Sequence, residues 1–319
     1  MNKHKLIIAN MYRAKNKTAF FAIHQAITRL PEFDIDFHII WDDPNYEDKW
    51  TKKINSLNCN IISYTKEQLN NYCLEQGISQ EQIDKFDKFK SIYFILHGHY
   101  MRKNNITDYY LIYDDDIILK EEISELKTCL KNKIPCLISE PMNSSCDKAM
   151  AKIIFELYEG SIEQYKSRNS LIFGFNAGFQ GLSLEMYDDF LQPDTFNLLL
   201  GLFNYSGIYD TEGNEITGPE RSLIDTQQQS FFSLMNIIRS TTRPHILTPH
   251  EYFVCPNWGT HPIYGPLNPE NEFEGWDINM KSKVIHFIGH TVFDGKYYGK
   301  PKVFNEIVDN YLKENNIEL

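Results

Sequence analysis

Tyr109-Tyr110-Leu111-Ile112-Tyr113-Asp114-Asp115-Asp116-Ile117-Ile118-Leu119 is an apolar run that ends in three carboxylates and then resumes. A buried strand has no reason to finish in three like charges unless something cationic neutralises them. Carboxylate oxygens are hard ligands suited to Mg²⁺ or Mn²⁺, ions that take one or two protein carboxylates and complete their shell with water and substrate phosphates. If the strand continues through the aspartates, Asp114 and Asp116 share one face and Asp115 points to the other. An Asp-X-Asp at a strand's carboxyl end is then a metal-diphosphate clamp. A solvated turn is the competing reading, because Asp is common just past strand ends.

The elements around this stretch alternate in the manner of a wound α/β sheet. Strands are expected at Lys5 to Ala9, Ile35 to Trp41, Cys59 to Ser63, Tyr109 to Tyr113 and Pro135 to Ser139. Helices are expected at Thr18 to Leu30, Tyr46 to Leu57, Lys66 to Glu75 and Ser124 to Lys131, with one or two more between Ser79 and Lys103. Ser79 reads as a cap and Glu81 as an early acidic residue. The second half is less regular, with loop chemistry at residues 210–214 and 262–276. The simplest organisation is one unit over 1–319, with a nucleotide-binding half at 1–120 and a more variable acceptor-binding half at 121–319.

Bulk composition narrows the function. The chain has 319 residues, 42% hydrophobic and 14% aromatic, which is globular and long enough for a large core. A formal net charge of −11 argues against a nucleic-acid partner, which needs a basic face. No run approaches the twenty apolar residues of a membrane span, and Leu6 to Ala9 is too short for a signal-peptide core. Cys59, Cys73, Cys129, Cys136, Cys146 and Cys255 contain no Cys-X-X-Cys pair and read as reduced thiols in a cytoplasmic protein.

In open α/β sheets ligands bind outside the carboxyl ends of the strands. That places Asn10, Tyr12 and Arg13 after the first strand, Asp42 and Asp43 after the second, and Asp114 to Asp116 along one edge. Tyr12 could stack on a base while Asp42 accepts a hydrogen bond from base or ribose. Tyr12 as a partly buried loop aromatic, and the Asp42-Asp43 pair as a turn or cap, are the plain alternatives. In Phe173-Gly174-Phe175-Asn176-Ala177-Gly178-Phe179, Gly178 allows close backbone approach to a ligand and Asn176 offers donor and acceptor to hydroxyls. A strand bulge explains the same string. Val284-Ile285-His286-Phe287-Ile288-Gly289-His290 puts His286 at the end of a second apolar stretch, either as a nitrogen ligand beside the two aspartates or as a structural residue. Lys296 and Lys300 supply cations able to grip a diphosphate.

Together these pieces resemble the GT-A nucleotide-sugar glycosyltransferases, and most nearly the glycogenin and lipopolysaccharide galactosyltransferase group. The apolar strand with Asp114-X-Asp116, then Phe175-Asn176-Ala177-Gly178, then the Gln-rich segment Gln227 to Phe232, then His286-X-X-Gly289 before a Lys-Pro occur in the family's order. The resemblance implies a Rossmann-like mixed central sheet flanked by helices, and an enzyme that moves a hexose from a UDP-sugar to an acceptor hydroxyl on a glycan, lipid-linked glycan or protein. It implies Asp114, Asp116 and His286 as ligands of Mn²⁺ (or Mg²⁺), and Asn176 and Gly178 beside the donor sugar. It further implies Lys90 as the basic residue before the Asp-X-Asp strand, where the relatives carry Arg. Asn10, Tyr12, Asp42 and Asp115 are assigned to the nucleotide side, Asp115 either on the nucleoside or supporting its loop.

The sequence departs from the pattern at Asp225-Thr226-Gln227-Gln228-Gln229, where the family has Asp-Gln-Asp, and at Lys300-Pro301-Lys302, which follows an insertion. Inverting transfer would need Asp225 or Glu220 as base, whereas retaining transfer would put Gln228 or Gln229 under the sugar. Two rival readings stand beside this one. A haloacid-dehalogenase-type phosphohydrolase also uses Asp-X-Asp, normally after the fold's first strand, and a non-catalytic protein could bind a nucleotide sugar without turnover.

Overall fold

The structure is a computed structural model, and it describes residues 3–10, 15–40, 45, 49–86, 92–120, 123–140, 174–188, 191, 245–247, 252–255, 283–287, 292–293, 296–297 and 302–318. Its centre is a seven-stranded mixed sheet. The strands are β1 (His4–Asn10), β2 (Phe33–Ile40), β3 (Asn60–Tyr64), β4 (Tyr109–Tyr113), β6 (Cys136–Glu140), β7 (Gly174–Ser183) and β8 (His245–Leu247). They lie in the order β3-β2-β1-β4-β7-β6-β8. β3, β2, β1 and β4 are mutually parallel, whereas β7 runs antiparallel to both β4 and β6. The α/β class and the mixed central sheet are therefore as the sequence leads one to expect. The aspartates do not continue β4: they form a turn into a separate three-residue strand, β5 (Ile117–Leu119). β5 belongs to a second sheet with β9 (Tyr252–Cys255) and β10 (Val284–Phe287), in the order β5-β10-β9. A two-stranded ribbon pairs β11 (Val292–Phe293) with β12 (Lys296–Tyr297).

The helices are α1 (Lys17–Arg29), α2 (Lys49–Asn55), α3 (Lys66–Glu75), α4 (Gln80–Phe86), α5 (Ile92–Lys103), α6 (Ser124–Lys131) and, near the C-terminus, α7 (Lys302–Glu314). Local chemistry sets their starts. Asn16 caps α1, its Oδ1 accepting from the backbone N–H groups of Thr18 and Ala19. Thr65 and Gln68 form a reciprocal capping box on α3, and Ser79 with Gln82 repeats it on α4.

Strand alternation divides the core between the two faces of the sheet. Leu6, Ile8, Phe37, Ile39, Leu111 and Tyr113 join Phe20, Phe21 and Ile23 of α1 and Phe304, Val308 and Leu312 of α7 in one buried cluster. β4 is buried at every position, the burial expected of a central strand covered on both faces.

The opposite face carries a buried polar layer, on the side of β2 that holds Asp36 and His38. His38 of β2 and His97 of α5 are 2% and 0% exposed, and their rings meet at His38 Nδ1 to His97 Nε2, 2.9 Å. Tyr64 packs edge-on against His97, and Tyr110 makes a tilted contact with the same ring. Burial lowers His38 from its ordinary 6.5 to about 4, only partly countered by Asp36, and burial holds His97 well below its ordinary value. The unfolded chain therefore binds more protons than the native one between pH 6.5 and 4, so stability present near neutrality is lost as pH falls through that window. Urea unfolding at pH 7 and pH 5 should show a loss of about 2 kcal/mol from His38 alone. A midpoint that does not move between those pH values would contradict the neutral imidazole pair.

Candidate metal and nucleotide site

In the order β3-β2-β1-β4 the direction of winding reverses between β1 and β4, and the crevice outside the carboxyl ends of those two strands is where open α/β sheets bind ligands. The parallel register of Ala9 with Ile112 sets the ends of both strands at the same level. Asn10 closes β1 there, and Asp114 follows β4. Asn10 is 3% exposed, and its Nδ2 has no hydrogen-bond partner among the described residues. A buried amide donor in that condition is a costly group, and a ligand oxygen at the crevice would satisfy it.

The aspartate turn is built from three directions. From the sheet, the Asp114 N–H donates to the Gly178 carbonyl at 2.8 Å, extending the β4·β7 ladder one step past β4. From the second sheet, β5 pairs antiparallel with β10 and sets Ile117 opposite His286. That register carries the imidazole to the residue just before Ile117, and His286 Nε2 lies 2.9 Å from Asp116 Oδ1. From the helix layer, Thr18 Oγ1 reaches Asp115 Oδ2 at 2.5 Å. Asp115 thus sits at the N-terminal end of α1, where the helix dipole favours an anion.

Asp114 and Asp116 share the use that Asp115 does not. One ligand atom from each of Asp114, Asp116 and His286 lies within 4.8 Å of the others. A turn, and not a continued strand, brings the two carboxylates together. Asp116 and His286 are buried, at 5% and 4% exposure, and Asp114 is half-buried. Two hard oxygens and one imidazole nitrogen suit Mn²⁺ or Mg²⁺.

Gly178 forms the floor. A Cβ there would lie 2.3 Å from His286 Cε1 and 2.6 Å from Asp114 Oδ2. Only glycine lets β7 pass this close under the two side chains. β7 also bulges here, since Leu137 pairs with Gln180 but Ser139 pairs with Phe175, leaving extra residues on β7 between them. The strand bulge is present, and what the backbone at Gly178 approaches is the Asp114 and His286 side chains.

Of the remaining sequence candidates, Asn176 lies within β7 and Lys296 within β12. Tyr12, Arg13, Asp42, Asp43, Lys90, Glu220, Asp225, Gln228, Gln229 and Lys300 lie outside the described residues. The sequence reading missed Gln25. This α1 side chain is 1% exposed; its Nε2 donates to the Tyr113 hydroxyl at 2.6 Å and the Ile117 carbonyl at 2.9 Å, and its Oε1 accepts from the Leu119 N–H at 2.7 Å. The available signal was a lone amide on the apolar face of α1, between Ile23 and Ala26.

Gly178→Ala should destabilise the fold by about 1–3 kcal/mol, the usual cost of forcing a carbon into filled space. The His286 ring resonances should move in the same variant. Wild-type stability with an unchanged His286 spectrum would contradict the contact.

No protein-family model matches the chain, and no curated protein matches it. Among solved structures the chain is similar to mouse xyloside xylosyltransferase 1 in its apo form, at 14% identity and TM-score 0.44, covering 90% of this chain and 97% of that one. It is similar to the galactosyltransferase LgtC in complex with donor and acceptor sugar analogues, at 14% identity and TM-score 0.45, covering 96% and 95%. An active-site mutant of LgtC gives 13% identity and TM-score 0.49, with coverage of 96% and 95%.

Proposed function

We propose that the protein is a metal-dependent glycosyltransferase that moves a hexose from a UDP-sugar to an acceptor hydroxyl on a glycan, lipid-linked glycan or protein. The observation that carries the reading is the convergence of Asp114, Asp116 and His286 over Gly178 at the crevice between β1 and β4. These three residues would hold Mn²⁺ or Mg²⁺. When bound, the ion supplies a Lewis acid to the departing diphosphate.

The chain's own groups do the rest. Asn10 donates to the nucleotide, with Tyr12, Asp42 and Lys90 on the same side. Of the two roles open to Asp115, the Thr18 contact favours support of the turn. Asn176 and Gly178 line the donor sugar. Lys296 or Lys300 would close over the diphosphate and exclude water that would hydrolyse the donor. Asp225 or Glu220 is the base if transfer inverts; Gln228 or Gln229 lies under the sugar if it retains. Residues 1–319 act as one unit, with 1–120 as its nucleotide half.

The phosphohydrolase reading places its aspartates after the first strand of the fold. Here β1 ends in Asn10 and the aspartates follow β4, flanked by a histidine from a second sheet. Among the described residues no helix is long and apolar enough to cross a membrane.

A thermal-shift panel of UDP-, GDP- and dTDP-sugars with and without Mn²⁺ tests the proposal. A donor at a hundred times its Kd stabilises the folded state by about 2.7 kcal/mol, a shift of several degrees. UDP-sugars should give this shift only with Mn²⁺, and Asp116→Ala should abolish it. No shift with any nucleotide sugar, or an equal shift in Asp116→Ala, would refute the site.

A further inference from the structure

Helix α1 meets the aspartate turn through Gln25, whose three hydrogen bonds straddle the turn. Tyr113 immediately precedes Asp114, Ile117 immediately follows Asp116, and Leu119 closes β5. The register of the second sheet explains why a side chain is needed. The Lys120 N–H donates to the Lys283 carbonyl, so the antiparallel ladder with β10 runs through Ile118 and Lys120. The N–H and C=O groups of Ile117 and Leu119 therefore point away from β10. Gln25 supplies the missing strand edge with one amide, satisfying the Ile117 carbonyl and the Leu119 N–H at a position closed to water.

We propose that Gln25 is a positioning residue for the divalent-metal site, holding the spacing of Asp114 and Asp116 so that metal affinity is set by helix α1. The proposal rests on the metal reading above. Gln25 is bonded to both feet of the turn, so its effect passes through the backbone that carries the two carboxylates. Like charges on a short turn repel, and a loop left to splay must be gathered again when metal binds, which weakens binding. Groups that orient metal ligands without touching the metal commonly change affinity by an order of magnitude or more. The amide must be neutral and two-sided. A carboxylate at position 25 would add a fourth negative charge beside the turn and could not donate to the Ile117 carbonyl, and Met would leave both backbone groups unmatched.

The test measures binding of Mn²⁺ alone by the loss of the free-ion electron paramagnetic resonance signal. Wild type, Gln25→Met, Tyr113→Phe and Asp116→Ala are compared below their unfolding temperatures. Kd should rise about tenfold or more in Gln25→Met and by a smaller factor in Tyr113→Phe, with binding lost in Asp116→Ala. If Gln25→Met does not fold, Tyr113→Phe decides, since it removes only a hydroxyl from the clamp. A lowered melting temperature with unchanged Mn²⁺ affinity in both clamp variants, alongside lost binding in Asp116→Ala, would overturn the positioning role alone. Binding retained in Asp116→Ala would overturn the metal reading and this proposal with it.

Discussion

The antiparallel pairing of three-residue β5 with β10 joins two parts of the chain that share no local contact. It sets Ile117 opposite His286, and the imidazole thereby meets Asp116 on the far side of the turn. A slip of one residue would send His286 to the other face of the small sheet and leave two carboxylates without their third partner. Three further contacts among the described residues support the turn. Gly178 clears the floor beneath Asp114 and His286, Gln25 holds the free edge of β5, and Thr18 draws Asp115 toward the start of α1.

The three aspartates are separated by their electrostatic surroundings. Asp115 meets a helix N-terminus and a hydroxyl, both of which stabilise an anion without a metal. Asp114 and Asp116 face each other and a histidine. One Asp-Asp-Asp string therefore contains a carboxylate held against the start of α1 and two that face His286. Asn10, at the adjoining strand end, adds a buried amide donor to the same crevice.

Most of the central sheet was legible because its strands are apolar or alternating runs bounded by turn residues and spaced by helices, of which α1, α3 and α4 carry capping chemistry. Lys66–Glu75 and Ser124–Lys131 fall where the pattern puts them. Continued strand and turn both fit the stretch Asp114 to Asp116, because period-two alternation and a tight turn both bring residues i and i+2 together, so the pairing was legible and the conformation was not. Gly178 was legible as a close approach, but not what it approaches, since His286 comes from a distant strand. Gln25 was invisible for a related reason: its partners are backbone groups of a strand formed nearly a hundred residues later. Alternation in β2 puts Asp34, Asp36 and His38 on one face, but nothing local shows that His38 is buried there, because its partner His97 arrives from α5.

The most direct measurement is a crystal of the protein grown with Mn²⁺ and UDP, with diffraction recorded on both sides of the manganese absorption edge. The account predicts one strong anomalous peak within bonding distance of the Asp114 and Asp116 carboxylates and His286 Nε2, with the diphosphate on its open side. A peak bound elsewhere, or nucleotide density at the crevice with no anomalous signal among these three residues, would contradict it.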